Sequence, residues 1–241
     1  MKICSIGNSF SQDAHKWLYK LAKDNGYKLE TVNLYIGGCD LKTHFINAEN
    51  NNPYYSFEPN GNKGTKFVSI NEVLTAEKWD VITLQQVSQH SGMPETFRPY
   101  LTSLANTVKK LQPEAKLYFH QTWAYETDSD HYGFANYNNS QEEMYNCILK
   151  ASEQASELIG AELIPTGTVI QRMRENLPEF DYKNGGLSLC RDGFHLSLDY
   201  GRYAAAATWL RVLTGIKIGT TDFEDFNSEY LNKINGIVNS L

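Results

Sequence analysis

A serine, a histidine and an aspartate can together perform nucleophilic catalysis, and this chain places them at Ser9, His195 and Asp192. A serine hydroxyl attacks well only when a base takes its proton, and the base works best when a carboxylate orients it. Ser9 lies in Gly7-Asn8-Ser9-Phe10-Ser11, directly after a short apolar run. A serine on a strand-to-helix turn is held up at a sheet edge. Its own N–H sits near a helix start, where a developing anion is favoured. By itself the tripeptide Gly7-Asn8-Ser9 can equally shape the turn or cap the helix. It is not the G-x-S-x-G elbow of the α/β-hydrolases, because Ser11 stands where the second glycine belongs. Far along the chain, Arg191-Asp192-Gly193-Phe194-His195 sets an acid three residues before a histidine. On one short turn that spacing lets the carboxylate bind one imidazole nitrogen while the other faces a serine.

These residues need a scaffold, and the hydrophobic pattern supplies one. Lys2 to Ile6 reads as a buried strand. Ala14, Trp17, Leu18, Leu21 and Ala22 then recur at helical spacing, with Ser11 as cap and Gly26 beyond the end. Further strands are expected at Leu29–Leu34, Trp79–Leu84, Lys116–Phe119 and Glu162–Ile164. Helices are expected over Leu101–Leu111, Met144–Leu158 and about Leu198–Thr214, the last capped by Ser197. Strands alternating with helices imply one parallel sheet covered on both faces. Two segments break the rhythm. Tyr54 to Ile70, around Pro59-Asn60-Gly61-Asn62, reads as an inserted β-hairpin. Trp123 to Asn139 is a long polar and aromatic loop of the kind that usually carries function. No repeat or linker interrupts the chain, so residues 1–241 are expected to form one domain.

Composition narrows the partners. The 241 residues are 41% hydrophobic and 21% charged, with a net charge of −6, which excludes a disordered or collagenous chain. An acidic balance lacks the basic footprint of a nucleic-acid or anionic-membrane binder. The four cysteines, Cys4, Cys39, Cys147 and Cys190, form no C-x-x-C and read as buried free thiols. His44, His90, His120 and His131 show no metal-binding spacing, so neither a metal nor a cofactor is expected. The start of the chain resembles no signal peptide, so the expected location is cytoplasmic as the sequence stands, or periplasmic or secreted if a leader was trimmed.

Ligands of open parallel sheets bind at the carboxyl ends of the strands. Those ends carry Gly7–Ser11, Gly37-Gly38-Cys39-Asp40, Gln85-Gln86 and His120-Gln121. Gly7-Asn8-Ser9 after the first strand, with Asp192-Gly193-Phe194-His195 near the carboxyl terminus, resembles the SGNH (GDSL-like) hydrolases, in a bacterial branch named mainly as a domain of unknown function. The resemblance implies a three-layer α/β/α flavodoxin-like fold, here with a five-stranded parallel sheet and the hairpin. It also implies cleavage of esters, commonly acetyl or acyl, by Ser9 as nucleophile, His195 as base and Asp192 as its orienting acid. An oxyanion hole would come from the N–H groups of Ser9 and Gly38 and from an asparagine after the third strand. That asparagine is absent: the chain reads Leu84-Gln85-Gln86. A glutamine amide can donate the same bond, so Gln86 is assigned, with Gln85 next.

The expected function is a metal-independent serine esterase acting on small acyl esters, with a small-molecule or glycan ester as partner. Asn8, Trp123 and Tyr125 are the candidate substrate contacts, the two aromatics by stacking on a sugar ring. The alternatives are a lipid or thioester acyl hydrolase and a catalytically silent carbohydrate-binding module of the same fold.

Overall fold

The computed structural model describes all 241 residues. β1 (Lys2–Gly7) runs into α1 (Ser9–Asp24), and β2 (Glu30–Tyr35) into α2 (Leu41–Glu49). The hairpin β3 (Tyr55–Pro59) and β4 (Phe67–Val68) follows, then α3 (Ile70–Ala76) and β5 (Val81–Leu84). After these come α4 (Tyr100–Leu111), β6 (Lys116–His120), α5 (Gln141–Ile159), β7 (Glu162–Ile164) and α6 (Thr166–Asn176). The chain ends with α7 (Tyr200–Thr214) and α8 (Ser228–Asn239). The sheet has seven strands in the order β4-β3-β2-β1-β5-β6-β7. Five of them, β2-β1-β5-β6-β7, are parallel, and the hairpin extends the β2 edge antiparallel. The parallel core and the hairpin are those expected from the pattern. The hairpin joins the sheet because β3 pairs with β2 rather than standing apart.

Strand alternation divides the interior between the two faces. Ile3, Val81 and Tyr118 point toward α1, α6, α7 and α8, in one apolar cluster with Leu18, Ile170, Leu210 and Ile234. Their neighbours Cys4, Ile82, Leu117 and Phe119 point the other way, toward α2, α3, α4 and α5. A period of two sends successive side chains to opposite faces, so each parallel strand feeds both layers. α7 is the central helix of its layer. Ala204 to Ala207 are all buried, and small side chains let α1 and α6 lie close against it.

Several boundaries differ from the expected ones. Asn8, not Ser11, caps α1: its side chain accepts from Phe10 N. Ser9 is therefore the first residue of the helix. α7 starts at Tyr200 with Asp199 as cap, while Ser197 Oγ accepts from Gly201 N instead. α2, α3, α6 and α8 are additional to the helices expected from the apolar pattern. The cysteines are free, with Cys147 partly exposed and the other three buried. No helix is long and apolar enough to cross a membrane.

One close approach seats α6 beneath the loop that follows β6. A Cβ on Gly167 would lie 2.0 Å from the Thr122 carbonyl oxygen, a backbone atom that cannot step aside alone. Gly167→Ala should therefore lower stability by about 1–3 kcal/mol, the usual cost of overpacking. Urea denaturation with an unchanged slope and a lower midpoint is the expected result.

Candidate active site

The carboxyl edge of the parallel strands gathers the sequence-derived candidates. Asp192 and His195 are bonded: His195 Nδ1 donates to Asp192 Oδ2 at 2.7 Å, and the carboxylate also accepts the backbone N–H groups of His195 (2.8 Å) and Phe194 (3.3 Å). The bond commits Nδ1 as the donor nitrogen and leaves Nε2 as the proton acceptor of the neutral ring. Burial alone would raise the Asp192 carboxyl. The hydrogen bond and charge of the His195 ring, with the backbone N–H groups of His195 and Phe194, outweigh that and hold it below the ordinary carboxylate range.

Ser9 opens α1 and is partly exposed. As the first helical residue its N–H has no acceptor within the helix. Phe10, its neighbour, lies 5.9 Å from the His195 ring and stacks on Trp123 at 4.2 Å. Trp123 Nε1 in turn donates to the Phe194 carbonyl oxygen at 2.8 Å. A pillar of Phe10 and Trp123 thus joins the serine turn to the histidine loop. Gly38 is exposed at φ +64°, with open space where a side chain would be, and its N–H donates to no protein acceptor.

The structure corrects the roles of five candidates. Asn8 is buried and is not available to a substrate. It accepts from Phe10 N (3.0 Å) and from Gln85 Nε2 (2.7 Å), and it donates to the Cys39 carbonyl (3.0 Å). It ties the Ser9 turn to the Gly38 loop. Gln86 is likewise inside. Its Nε2 donates to Thr96 O and Oγ1 at 3.3 and 3.0 Å, and its Oε1 accepts from Leu41 N and Val87 N. Gln86 is 1% exposed with its amide nitrogen turned to Thr96, so it is not turned toward an oxyanion. Gln85 is 1% exposed and links Asn8 to His120, accepting from His120 Nδ1 at 2.8 Å. Burial, with the field of His15 added, drives His120 down to about 3, so it stays neutral in that link. Trp123 and Tyr125 are fully buried. The Tyr125 hydroxyl pairs with Ser88 Oγ at 2.8 Å, so neither ring offers a face to a sugar. The aromatic loop folds inward because its rings complete the apolar layer around Phe10.

Other residues matter here that sequence reasoning did not single out. Asp13, one turn beyond Ser9, is wholly buried. It accepts from Leu196 N at 2.9 Å, from Arg191 Nη1 at 3.1 Å and from Arg202 Nε at 2.8 Å. Arg191 reaches the Leu196 carbonyl as well, and its backbone N–H donates to His195 O at 2.9 Å. From the other side, Glu126 N donates to Gly193 O at 2.7 Å, while its buried carboxylate pairs with Arg174 at 3.3 Å. A polar cavity of about 390 Å³ opens beside that pair, behind the histidine loop rather than over Ser9. An acid in the first turns of a helix has a sufficient local explanation, so no sequence signal marked Asp13 as a clamp. The four histidines outside the Asp192 pair and α1 lie in separate surroundings: His44 against Tyr55, His120 on Gln85, His131 in the aromatic loop and His90 in a turn.

A model of the DUF4886 family, a domain of unknown function, matches residues 2–232. The chain belongs to this family. A DUF4886 protein from Bacteroides uniformis, solved by crystallography, is 35% identical and superposes with a TM-score of 0.91 over 100% of this chain and 93% of its own. A protein from Slackia heliotrinireducens described as a candidate SGNH hydrolase is 20% identical, with a TM-score of 0.60 over 88% and 98% of the two chains. A variant of an acetyl-xylooligosaccharide esterase from Geobacillus stearmophilus is 13% identical, with a TM-score of 0.57 over 91% and 96%. The fold is therefore that of the SGNH hydrolases. No curated protein matches the sequence.

Two outcomes follow from the clamp and the pair. Asp13→Ala leaves two arginines without their shared partner, and breaking a buried pair typically costs about 3–5 kcal/mol; chemical denaturation measures the loss. The depressed Asp192 carboxyl stabilises the fold above its ordinary pKa of about 3.9, and that contribution disappears as pH falls through the lower folded value. The stability gap between wild type and Asp192→Asn, read by denaturation across pH, should therefore be open near neutrality and close in acid.

Proposed function

We propose that this protein is a serine esterase that cleaves small acyl esters, acetyl esters of carbohydrate foremost, through an acyl-enzyme. The observation that carries the reading is the 2.7 Å bond from His195 Nδ1 to Asp192, which leaves Nε2 unprotonated at the edge where Ser9 begins its helix. His195 Nε2 takes the Ser9 proton as Oγ attacks the ester carbonyl. The same proton passes to the leaving alcohol, and a water activated by His195 then releases the acid. The negative charge that forms on the carbonyl oxygen is met by the N–H groups of Ser9 and Gly38, both without protein acceptors. Gln85 acts one step back, by holding Asn8 and with it both donors. The shared fold of an acetyl-xylooligosaccharide esterase supports the choice of acetylated sugars.

Fluorophosphonate labelling of the purified protein, with an ester panel of acetylated sugars, short acyl chains and long acyl chains, tests the reading. Labelling should map to Ser9 and vanish in Ser9→Ala, together with turnover. Asp192→Asn should keep the fold and lose turnover by up to about 10⁴-fold, because the amide favours the wrong imidazole tautomer. A protein that takes no label and hydrolyses no ester is a binding module, and a preference for long acyl chains makes it a lipid hydrolase. Gln85→Ala should lower turnover through the displaced turn, whereas Gln86→Ala should mainly lower stability. Equal turnover in wild type and Gln85→Ala would remove Gln85 from the site.

A further inference from the structure

One aromatic of the loop after β6 does face solvent. Tyr132 is 76% exposed, the largest such fraction among the big hydrophobic side chains. It opens the 3-10 segment Tyr132–Tyr137. Its ring stacks on His131 at 4.7 Å between centroids and 24° between planes. His131 meets Phe194 edge-on at 4.7 Å, and Phe194 lies 4.2 Å from the His195 ring. A ladder of three ring contacts therefore runs from the catalytic histidine out to an open aromatic face.

The face is held in place. Gln89 Nε2 donates to the Tyr132 hydroxyl oxygen at 3.1 Å. Gly133 packs so closely on Gln89 that a Cβ there would lie 2.2 Å from the Gln89 Cβ. Gly133 N donates to His131 Nδ1 at 3.0 Å, which fixes the imidazole beneath the ring. Exposing a large aromatic costs apolar burial, and immobilising it costs rotamer freedom. The bond from Gln89 occupies a lone pair of the phenol oxygen, so its O–H remains free to donate. The same loop carries exposed Asp128 and Asp130, and Asp130 and Asp192 both act on His131. Those carboxylates disfavour an anionic ligand. A flat, neutral partner with C–H bonds on its face and hydroxyls on its rim meets every feature: a pyranose whose hydroxyls are equatorial.

We infer that Tyr132, backed by His131 and Phe194, is the platform on which the sugar of the ester substrate stacks, at the outer end of the ring ladder that leads to the catalytic histidine. The inference rests on the esterase reading and adds to it the residue that holds the sugar.

The test compares two acetyl esters of simple alcohols, xylose tetraacetate with a pyranose ring and glyceryl triacetate without one. Wild type should show the higher kcat/KM on the sugar. Tyr132→Ala should reduce the sugar-to-glycerol ratio about five- to tenfold, the scale of a lost aromatic contact. The change should fall mainly in KM, and Tyr132→Phe should keep most of the ratio. A wild type without preference for the ring, or a ratio unmoved in Tyr132→Ala, overturns the platform and leaves the esterase reading standing. Binding separates the two further. Xylotriose titrated into Ser9→Ala and followed by NMR should shift the loop signals, and the shifts should be lost in the Ser9→Ala, Tyr132→Ala double variant. Absence of such shifts overturns the platform whether or not any ester is hydrolysed.

Discussion

The buried Asp13 carboxylate is the constraint on which the site depends. The serine is near the start of the chain and the histidine near its end, and no covalent or local interaction relates them. Asp13 sits on the serine helix, and its oxygens are taken by the backbone at Leu196 and by Arg191 and Arg202. A charged group out of water is costly unless it is paired and fully bonded. That cost works as a register device. The carboxylate is satisfied only when the histidine loop lies at one place against α1.

Around this clamp the site is built from polar groups that face inward. His120, Gln85 and Asn8 form a buried chain that ends on the Cys39 carbonyl. An unmade buried hydrogen bond costs about 1–3 kcal/mol, so each member restrains the next. The chain joins the last residue of β6, the residues just beyond β5 and β1, and the loop after β2, four segments adjacent only in the folded sheet. Through Asn8 it borders the turns of Ser9 and Gly38, whose backbone N–H groups have no protein partner.

The aromatic loop divides its rings between two tasks. Trp123, Tyr125, Phe134 and Tyr137 close the core around Phe10 and the histidine loop. Tyr132 alone turns out, over His131. Indole and phenol groups can be buried when their polar tips find partners, as Trp123 finds the Phe194 carbonyl and Tyr125 finds Ser88. The Tyr132 hydroxyl has its partner, Gln89, at the surface.

Much of this was determined by the sequence alone. The five parallel strands were legible because alternation and apolar runs are imposed residue by residue. So was the hairpin, from its turn residues. The Asp192–His195 pair was legible because three residues of one turn suffice to close its bond, and Ser9 because a strand-to-helix turn exposes what it carries. The rest depends on distance in space rather than along the chain. Whether Trp123 or Tyr132 faces water is settled by Phe10 and Phe194, each far from the loop in sequence. Gln86 had the right chemistry for an oxyanion donor, and packing spent it on Thr96. Asp13 looked like any acid near a helix start until the fold brought two arginines from the far end of the chain to meet it. Local patterns specify elements because backbone hydrogen bonding and side-chain alternation act over a few residues; which polar group is free to do chemistry is decided by partners that only the tertiary structure brings together.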